Sequence, residues 1–244
     1  MQASTIHHSL DLVVRLIDTT TSAAVDERNV RFRMDGNPVR PVPRGNGTYV
    51  FLNKGRSDGE LKIAVYGFEP CSLDIRYQEL DKRMPVKEAF LIPSENAAGQ
   101  QPVITLSGNL PGLTEIQAVC LSPAGCCISG FDERKRIMKL LKTHQTAMDH
   151  TYYGLIHADR QNYEPFEVVK ELPDGSVKIS KPLAEPFSAN SPIARIVFGM
   201  AGEQGDYVLR VRDDAETLIY MIRYVVRGAA KFRTVDMHRA EELK

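Results

Sequence analysis

Apolar and polar residues alternate along most of the chain, with the two-residue period of half-buried β-strands. The first run sets Leu10, Leu12, Val14 and Leu16 on one face and charged residues on the other. Comparable runs lie at 30–34, 48–52, 61–65, 73–77 and 89–92, and then at 104–106, 116–120, 152–156, 166–169, 177–179, 193–198, 207–211 and 218–226. This short spacing predicts a mostly β protein built from antiparallel sandwich-like sheets.

A polar, small-residue segment between Pro93 and Pro102 interrupts these runs and contains no apolar periodicity. A chain of 244 residues is also longer than one typical domain of about 100–150 residues. We therefore predict two tandem β-sandwich-like domains, at 8–94 and 102–235, followed by a terminal tail at 236–244.

The tripeptide Pro173-Asp174-Gly175 lies between two alternating segments, 166–172 and 176–180. Asp-Gly in such a place is a strong short-range signal of a hairpin, since both residues adopt turn conformations readily. We predict a hairpin here.

One segment of the second domain departs from the strand pattern. Ile137, Leu140 and Leu141 lie at helical spacing, and Asp132 stands where an acidic residue favours the start of a helix. We expect an irregular or short helical insertion at about 131–150, or a long flexible arm.

Composition and charge limit the partners and the cellular compartment that we expect for the protein. Lys plus Arg and Asp plus Glu number 31 each, so no global field draws the chain to nucleic acid or anionic lipid. We find neither a secretion signal nor an apolar run of about 18 residues, and therefore expect cytoplasmic synthesis without membrane insertion. The four cysteines, Cys71, Cys120, Cys126 and Cys127, contain no C-x-x-C pair and are expected to be reduced thiols.

The densest basic cluster falls within the predicted insertion. Its candidate partner-contact residues are Arg134, Lys135, Arg136, Ile137, Lys139, Leu140 and Lys142. The cluster is either a solvated charged face or a docking arm whose apolar residues need a surface to bury them, such as an acidic neighbouring subunit. The acidic turn at Asp213 either receives such an arm from another copy or simply ends a strand.

No catalytic, cofactor-binding or metal-binding residue is predicted. His144, His150 and His157 lack an H-E-x-x-H pair and further ligands, which favours ordinary surface histidines. The adjacent Cys126 and Cys127 are poorly placed to chelate one tetrahedral ion, and buried small apolar residues explain them as well. Neither a nucleophile elbow nor a nucleotide-binding glycine loop is present.

Five segments of the first domain carry a resemblance to a known family. They are Leu10 to Asp18, Val30-Arg31-Phe32, Gly47-x-Tyr49-x-Phe51-x-Asn53-x-Gly55, Leu61-x-Ile63-x-Val65 and Tyr66-Gly67-Phe68-Glu69. Residues 8–94 resemble a carboxypeptidase-regulatory or transthyretin-like β-sandwich. The resemblance implies a binding or structural module attached to something else.

The transthyretin-like class also contains a hydrolase of hydroxyisourate, which uses paired histidines, an arginine and a C-terminal Tyr-Arg-Gly-Ser motif. In this chain Arg227-Gly228 follows Val226 and precedes Ala229, and it lies in the second domain. That activity is not implied here.

These observations favour a non-enzymatic structural or assembly protein that binds other subunits, either its own copies or different ones. Tandem sandwiches are typical of exported adhesins, whereas free thiols and the missing export signal indicate cytoplasmic synthesis. A component of a phage tail or phage-like contractile particle, made in the cytoplasm and released by lysis, is consistent with both observations.

The alternative is a carbohydrate or surface-ligand binding module, against which the absence of tryptophan argues mildly. A hydrolase ranks third and would need His150, His157 and an acidic side chain in one pocket.

Overall fold

A computed structural model divides the chain into two units, each with its own apolar core. The structure describes residues 9–26, 29–53, 55–95, 102–121, 125–142, 148, 151–159, 161–184, 186–213 and 218–239. The first unit comprises Met1–Asp18 and Ala24–Gln100, and the second comprises Thr19–Ala23 and Gln101–Lys244. Nearly all regular structure is β-strand, which confirms the predicted mostly β fold class.

The first unit contains two four-stranded sheets. Its strands are β1 (Leu10–Asp18), β2 (Arg31–Met34), β3 (Asn37–Val39), β4 (Val42–Pro43), β5 (Thr48–Leu52), β6 (Gly59–Ala64), β7 (Cys71–Ile75) and β8 (Val86–Leu91). The sheet orders are β4-β5-β1-β8 and β3-β2-β6-β7. The predicted antiparallel pairing holds for most strands of this unit, and the β1–β8 pair is parallel. It is parallel because the chain passes through β6 and β7 of the other sheet before it returns beside β1.

The apolar faces of these two sheets share one core. Leu12 and Leu16 of β1 lie with Phe51 of β5 against Leu61 and Ile75 of the other sheet, and each is at most 1% exposed. The alternating strand pattern produces this core, since every second side chain points inward. The arrangement confirms a sandwich-like first unit.

The second unit is an 11-stranded branched sheet. Its strands are β9 (Val103–Asn109), β10 (Leu113–Cys120), β11 (Cys126–Asp132), β12 (Ile137–Lys142), β13 (Thr151–Ile156), β14 (Tyr163–Glu171), β15 (Val177–Ile179), β16 (Ile193–Ala201), β17 (Asp206–Arg212), β18 (Ile219–Val226) and β19 (Ala229–Asp236). Strand β16 pairs with three other strands in turn along its length. It pairs with β13 through 193–195, with β10 through 196–198 and with β17 through 199–201.

Six strands of this unit close on themselves in the order β11-β12-β15-β14-β13-β16. The segment before β16 completes the closure, because the Ile128 N–H donates to Ser191 O (3.0 Å) and the Asn190 N–H donates to Ile128 O (2.8 Å). Inward side chains such as Met138 and Val168 fill the interior and are fully buried. We call this part the closed sheet. A sheet that closes leaves no open edge between its first and last strands.

The predicted Asp-Gly hairpin is confirmed between β14 and β15. Gly175 has a φ of +78°. The Gly175 N–H donates to Leu172 O (2.9 Å), and the Leu172 N–H donates to Ser176 O (2.8 Å). Glycine adopts this left-handed conformation without the steric penalty that a Cβ brings.

The prediction of a helical or irregular insertion at 131–150 is wrong over its described part. β11 and β12 form an antiparallel hairpin that turns at Arg136, whose φ is +55°. Met138 is buried, and Leu140 contacts the core of the closed sheet, whereas Leu141 is 55% exposed. Burial therefore follows a two-residue period, and the helical spacing of the apolar residues was coincidental. Residues 143–147, 149 and 150 lie outside the described residues.

The last described residues of the chain pack against the core of the second unit. Within the predicted tail at 236–244, Met237–Arg239 forms a short 3₁₀ turn, and Met237 joins the core at 2% exposure. Residues 240–244 lie outside the described part.

Among the described elements, no helix is long and apolar enough to cross a membrane.

Thr19–Ala23 belongs to the second unit, whereas the predicted first domain at 8–94 includes these residues. The Phe198 N–H donates to Thr19 O (2.8 Å), and the Ser22 hydroxyl donates to Ile196 O. The Arg212 guanidinium donates to Thr20 Oγ1 (3.0 Å). These bonds hold the segment against β16 and β17, so the chain contributes to the second unit before it completes the first.

Candidate interaction surface

The predicted partner-contact residues lie on the β11–β12 hairpin. Arg134 and Lys135 occupy its exposed turn, where the Lys135 ammonium is 3.7 Å from the Asp132 carboxylate. The Arg136 guanidinium donates to the backbone carbonyl of Ser180 (2.5 Å). Arg136 therefore fixes the turn against the chain that follows β15, while Arg134 and Lys135 extend into solvent.

Leu140 and Lys142 do not lie on this surface. The Leu140 side chain faces the interior of the closed sheet. The Lys142 ammonium pairs with Glu171, whose carboxylate also accepts a hydrogen bond from the Met148 N–H (3.1 Å). The Lys142 side chain is only 16% exposed. Its charge therefore serves a local ion pair.

The outer face of β12 presents Ile137, Lys139 and Leu141, which alternate with the inward residues. Lys178 of β15 stands directly opposite Ile137, and Lys170 of β14 stands opposite Lys178. Side chains at opposed positions of neighbouring strands point to the same face of a sheet. Three strands thus bring these five residues together, and we call this surface the lysine face.

The charges of the lysine face are largely uncompensated. Lys170 and Lys178 are both exposed, and neither forms an ion pair with any residue that the structure describes. Like charges directly opposite each other destabilise a sheet by a few tenths of a kcal/mol or more. This pair is therefore unfavourable in the isolated unit.

Lys139 has one acidic neighbour in the Asp174 carboxylate of the β14–β15 turn. The Ser176 hydroxyl and backbone N–H donate to Asp174 Oδ1 (2.6 and 3.0 Å) and hold the pKa of Asp174 below its ordinary value. The positive charge of Lys139 adds a smaller effect in the same direction. The carboxylate is fully exposed, so solvent screens this attraction.

Sequence reasoning found Ile137 and Lys139 but missed Lys170 and Lys178. The sequence indicates part of this arrangement, because the Asp-Gly turn aligns the strands that carry Lys170 and Lys178. The missing information was the bulge between Val168 and Lys170, which shifts the register by one residue and sets the two lysines opposite each other.

The adjacent cysteines point to opposite faces of β11. Cys126 stands opposite Lys142 and packs against the core of the closed sheet, whereas Cys127 stands opposite Leu141. All four cysteines are free thiols. Successive strand residues cannot direct both sulfurs at one ion, so this pair does not form a chelate.

We expect Cys126 to react slowly with alkylating reagents. Burial raises the pKa of its thiol to about 11, because desolvation outweighs the attraction of Lys142 for the thiolate. At pH 8 the thiolate fraction, and with it the rate with iodoacetamide, should be about 100-fold below that of an ordinary cysteine. Peptide mass spectrometry of Cys127→Ser protein would measure the rate, which should rise steeply toward pH 11.

Urea-unfolded protein is the control for this measurement. Unfolding removes the desolvation, so Cys126 should then react like a free cysteine. Equal rates in folded and unfolded protein would contradict the prediction.

The remaining candidate ligands do not assemble into a metal site in the described part of the chain. There, no group of three or more His, Cys, Asp and Glu side chains could hold a metal ion. His157 follows β13, while His144 and His150 lie outside the described residues.

Comparisons with known proteins add no assignment. No family model matches the chain, and no curated protein matches it. Among solved structures, a chimeric titin Z1Z2-Z1Z2 tandem, functionalized with a GRGDS exogenous peptide from fibronectin, aligns with 92% of this chain and 94% of its own. The identity is 8% and the TM-score 0.17, which carries no argument about fold or function.

Proposed function

We propose that this chain is a non-enzymatic assembly protein that binds another protein subunit, its own copy or a different one, through the lysine face. The observation that carries the proposal is the exposed cluster of Lys139, Lys170 and Lys178 with Leu141 on three paired strands of one sheet. Lys170 and Lys178 form no ion pair with any described residue. A partner that presents carboxylates would relieve the repulsion among the lysines and cover the exposed leucine.

Two physical features support a protein partner. The face combines apolar and cationic groups, and complementary charge sets the register and rate of association while apolar burial adds affinity. The closed sheet also holds the lysines on paired strands, so little backbone entropy is lost on binding. Arg134 and Lys135 at the hairpin turn extend the same positive charge beyond the sheet.

The more specific proposal is a component of a phage tail or phage-like contractile particle. The free thiols together with two β-rich units support it, since reduced thiols fit a structural protein that is made in the cytoplasm and released by lysis. Within this proposal the first unit, with its two packed four-stranded sheets, acts as a transthyretin-like module. It would supply a rigid support rather than chemistry.

The test is the mass of the purified chain in solution, measured by light scattering at low and high salt. We expect an oligomer that dissociates in the triple variant Lys139→Glu, Lys170→Glu, Lys178→Glu, because the substitutions invert the charge of the contact surface. High salt should weaken the wild-type oligomer, since screening reduces attraction between exposed charges.

The matched control is Lys62→Glu, Lys82→Glu, Lys231→Glu, which makes the same change in net charge at exposed positions elsewhere. It should leave the oligomer intact. A wild-type chain that is monomeric at both salt concentrations would contradict self-assembly through this face. An oligomer that survives in the first variant would place the contact elsewhere.

A further inference from the structure

A cleft of about 360 Å³ opens in the second unit. One wall is the outer surface of the closed sheet, where Tyr152 of β13 stands opposite Glu167 of β14. The other wall comes from β10 and β16, which contribute Glu115, Gln117 and Phe198. The cleft therefore lies where β16 passes from one part of the branched sheet to the other. Its volume is within the usual range of small-molecule sites.

Gln117 is the most unusual residue of this cleft. It is 3% exposed, and its side-chain amide donates to the Glu115 carboxylate. Its Oε1 atom accepts no hydrogen bond from any residue that the structure describes. A buried acceptor without a partner is unfavourable. This atom has almost no accessible surface, so Gln117 contributes to the cleft through the hydrogen bond that holds Glu115.

The polar groups around Gln117 are held in place. The Arg223 guanidinium donates to the Glu115 carboxylate (2.6 Å), and the Arg223 side chain is only 18% exposed. Glu115 is thereby fixed by both an amide and a guanidinium, while its side chain stays 48% exposed. Lys181, Glu167 and Ser180 complete the polar lining. Arg223 lies outside the lining but neutralises Glu115, so these two cations and two carboxylates together carry no net charge.

The apolar part of the lining is aromatic. The rings of Tyr152 and Phe198 meet edge to face with centroids 5.2 Å apart, and both are half-buried. Pro165 and Pro182 lie beside them and are exposed. Such surfaces pack against the C–H faces of a sugar ring, while neighbouring carboxylates accept hydrogen bonds from its hydroxyl groups.

We propose that this cleft binds a neutral saccharide of one or two rings. Hydroxyl groups both donate and accept, which suits a lining that mixes carboxylates, a serine hydroxyl and an ammonium group. A cationic ligand is disfavoured because Arg223 and Lys181 already balance Glu115 and Glu167. An anion would face two carboxylates. This activity is separate from the assembly function, since none of the cleft residues belongs to the lysine face.

The experiment is a titration of ¹⁵N-labelled full-length protein with glucose, galactose, mannose, N-acetylglucosamine, maltose and cellobiose. We expect saturable amide shifts confined to residues around Gln117, Tyr152 and Phe198 for at least one sugar. Glu167→Gln should weaken that binding about tenfold, because a hydrogen bond to a charged acceptor becomes one to a neutral acceptor. Gln117→Leu should also weaken it, because the variant loses the hydrogen bond that holds Glu115.

Glu203→Gln, an exposed position of the same unit, is the matched control and should leave the affinity unchanged. The spectrum of each variant shows whether it is folded, and Glu167→Gln retains the test if Gln117→Leu does not fold. The proposal is overturned if no sugar causes a saturable change, or if Glu167→Gln binds like wild type. Saturable shifts with ethylammonium but with no sugar would overturn the class of ligand.

Discussion

We expect Phe51→Ala to lower the free energy of unfolding of the first unit by about 3–5 kcal/mol. Phe51 is 1% exposed in the core between the two sheets, and its ring meets that of Phe32 edge to face at 5.5 Å. Truncation removes the apolar transfer energy and leaves a cavity that paired strands cannot close. Urea-dependent amide hydrogen exchange, read on peptides of the first unit, would measure the loss.

Tyr66→Ala is the matched control, since this aromatic side chain of the same unit is 71% exposed. Its effect should stay within about 0.5 kcal/mol. If the two variants lost similar stability, Phe51 would not be the core residue that the packing of the sheets indicates.

We expect Gly205→Ala to destabilise the second unit by about 2–5 kcal/mol. Gly205 has a φ of +85°, and a Cβ built there would lie 2.3 Å from the carbonyl oxygen of Leu110. The left-handed conformation costs a residue with a Cβ about 1–2 kcal/mol, and overpacking adds about 1–3 kcal/mol. Backbone atoms cannot move aside as a flexible side chain does. Hydrogen exchange of peptides from β9 and β17 would report the change.

Gly175→Ala separates the two causes. Gly175 has a similar φ of +78°, but nothing lies within 4 Å of its Cβ position. It should therefore lose only the conformational cost, about 1–2 kcal/mol. Equal losses at Gly175 and Gly205 would show that the close approach of Leu110 has no energetic consequence.

Much of the strand content could be predicted from alternation alone. The run from Leu10 to Leu16 became the central strand β1, and the Asp-Gly signal became the β14–β15 turn. Both are local: a strand's side-chain period and a turn's backbone preference depend on neighbouring residues.

The helix expected around Ile137 shows the limit of the same approach. A short apolar cluster fits helical and strand spacing equally, and only pairing with β11 and β15 selects the strand. Propensity is a weak preference that long-range packing overrides.

The candidate surfaces were less accessible to prediction than the strands. The five basic residues of the hairpin were identified, but three of them make local contacts: Lys135 with Asp132, Arg136 with Ser180 and Lys142 with Glu171. Lys170 and Lys178 join the lysine face only through a bulge and two strand pairings. The cleft of the second unit combines residues up to 83 positions apart, from Glu115 to Phe198, and no spacing in the sequence predicts it.

The sequence by itself determined that the chain is mostly β, with turns at Asp174-Gly175 and other glycines, because these properties arise from residues a few positions apart. Only the tertiary structure decided which strands are neighbours. It made β1 and β8 parallel, closed six strands of the second unit on themselves and placed Thr19–Ala23 within that unit. Strand pairing joins backbone groups that are distant in the chain and chemically alike in every residue, so the side-chain pattern does not encode the partner directly.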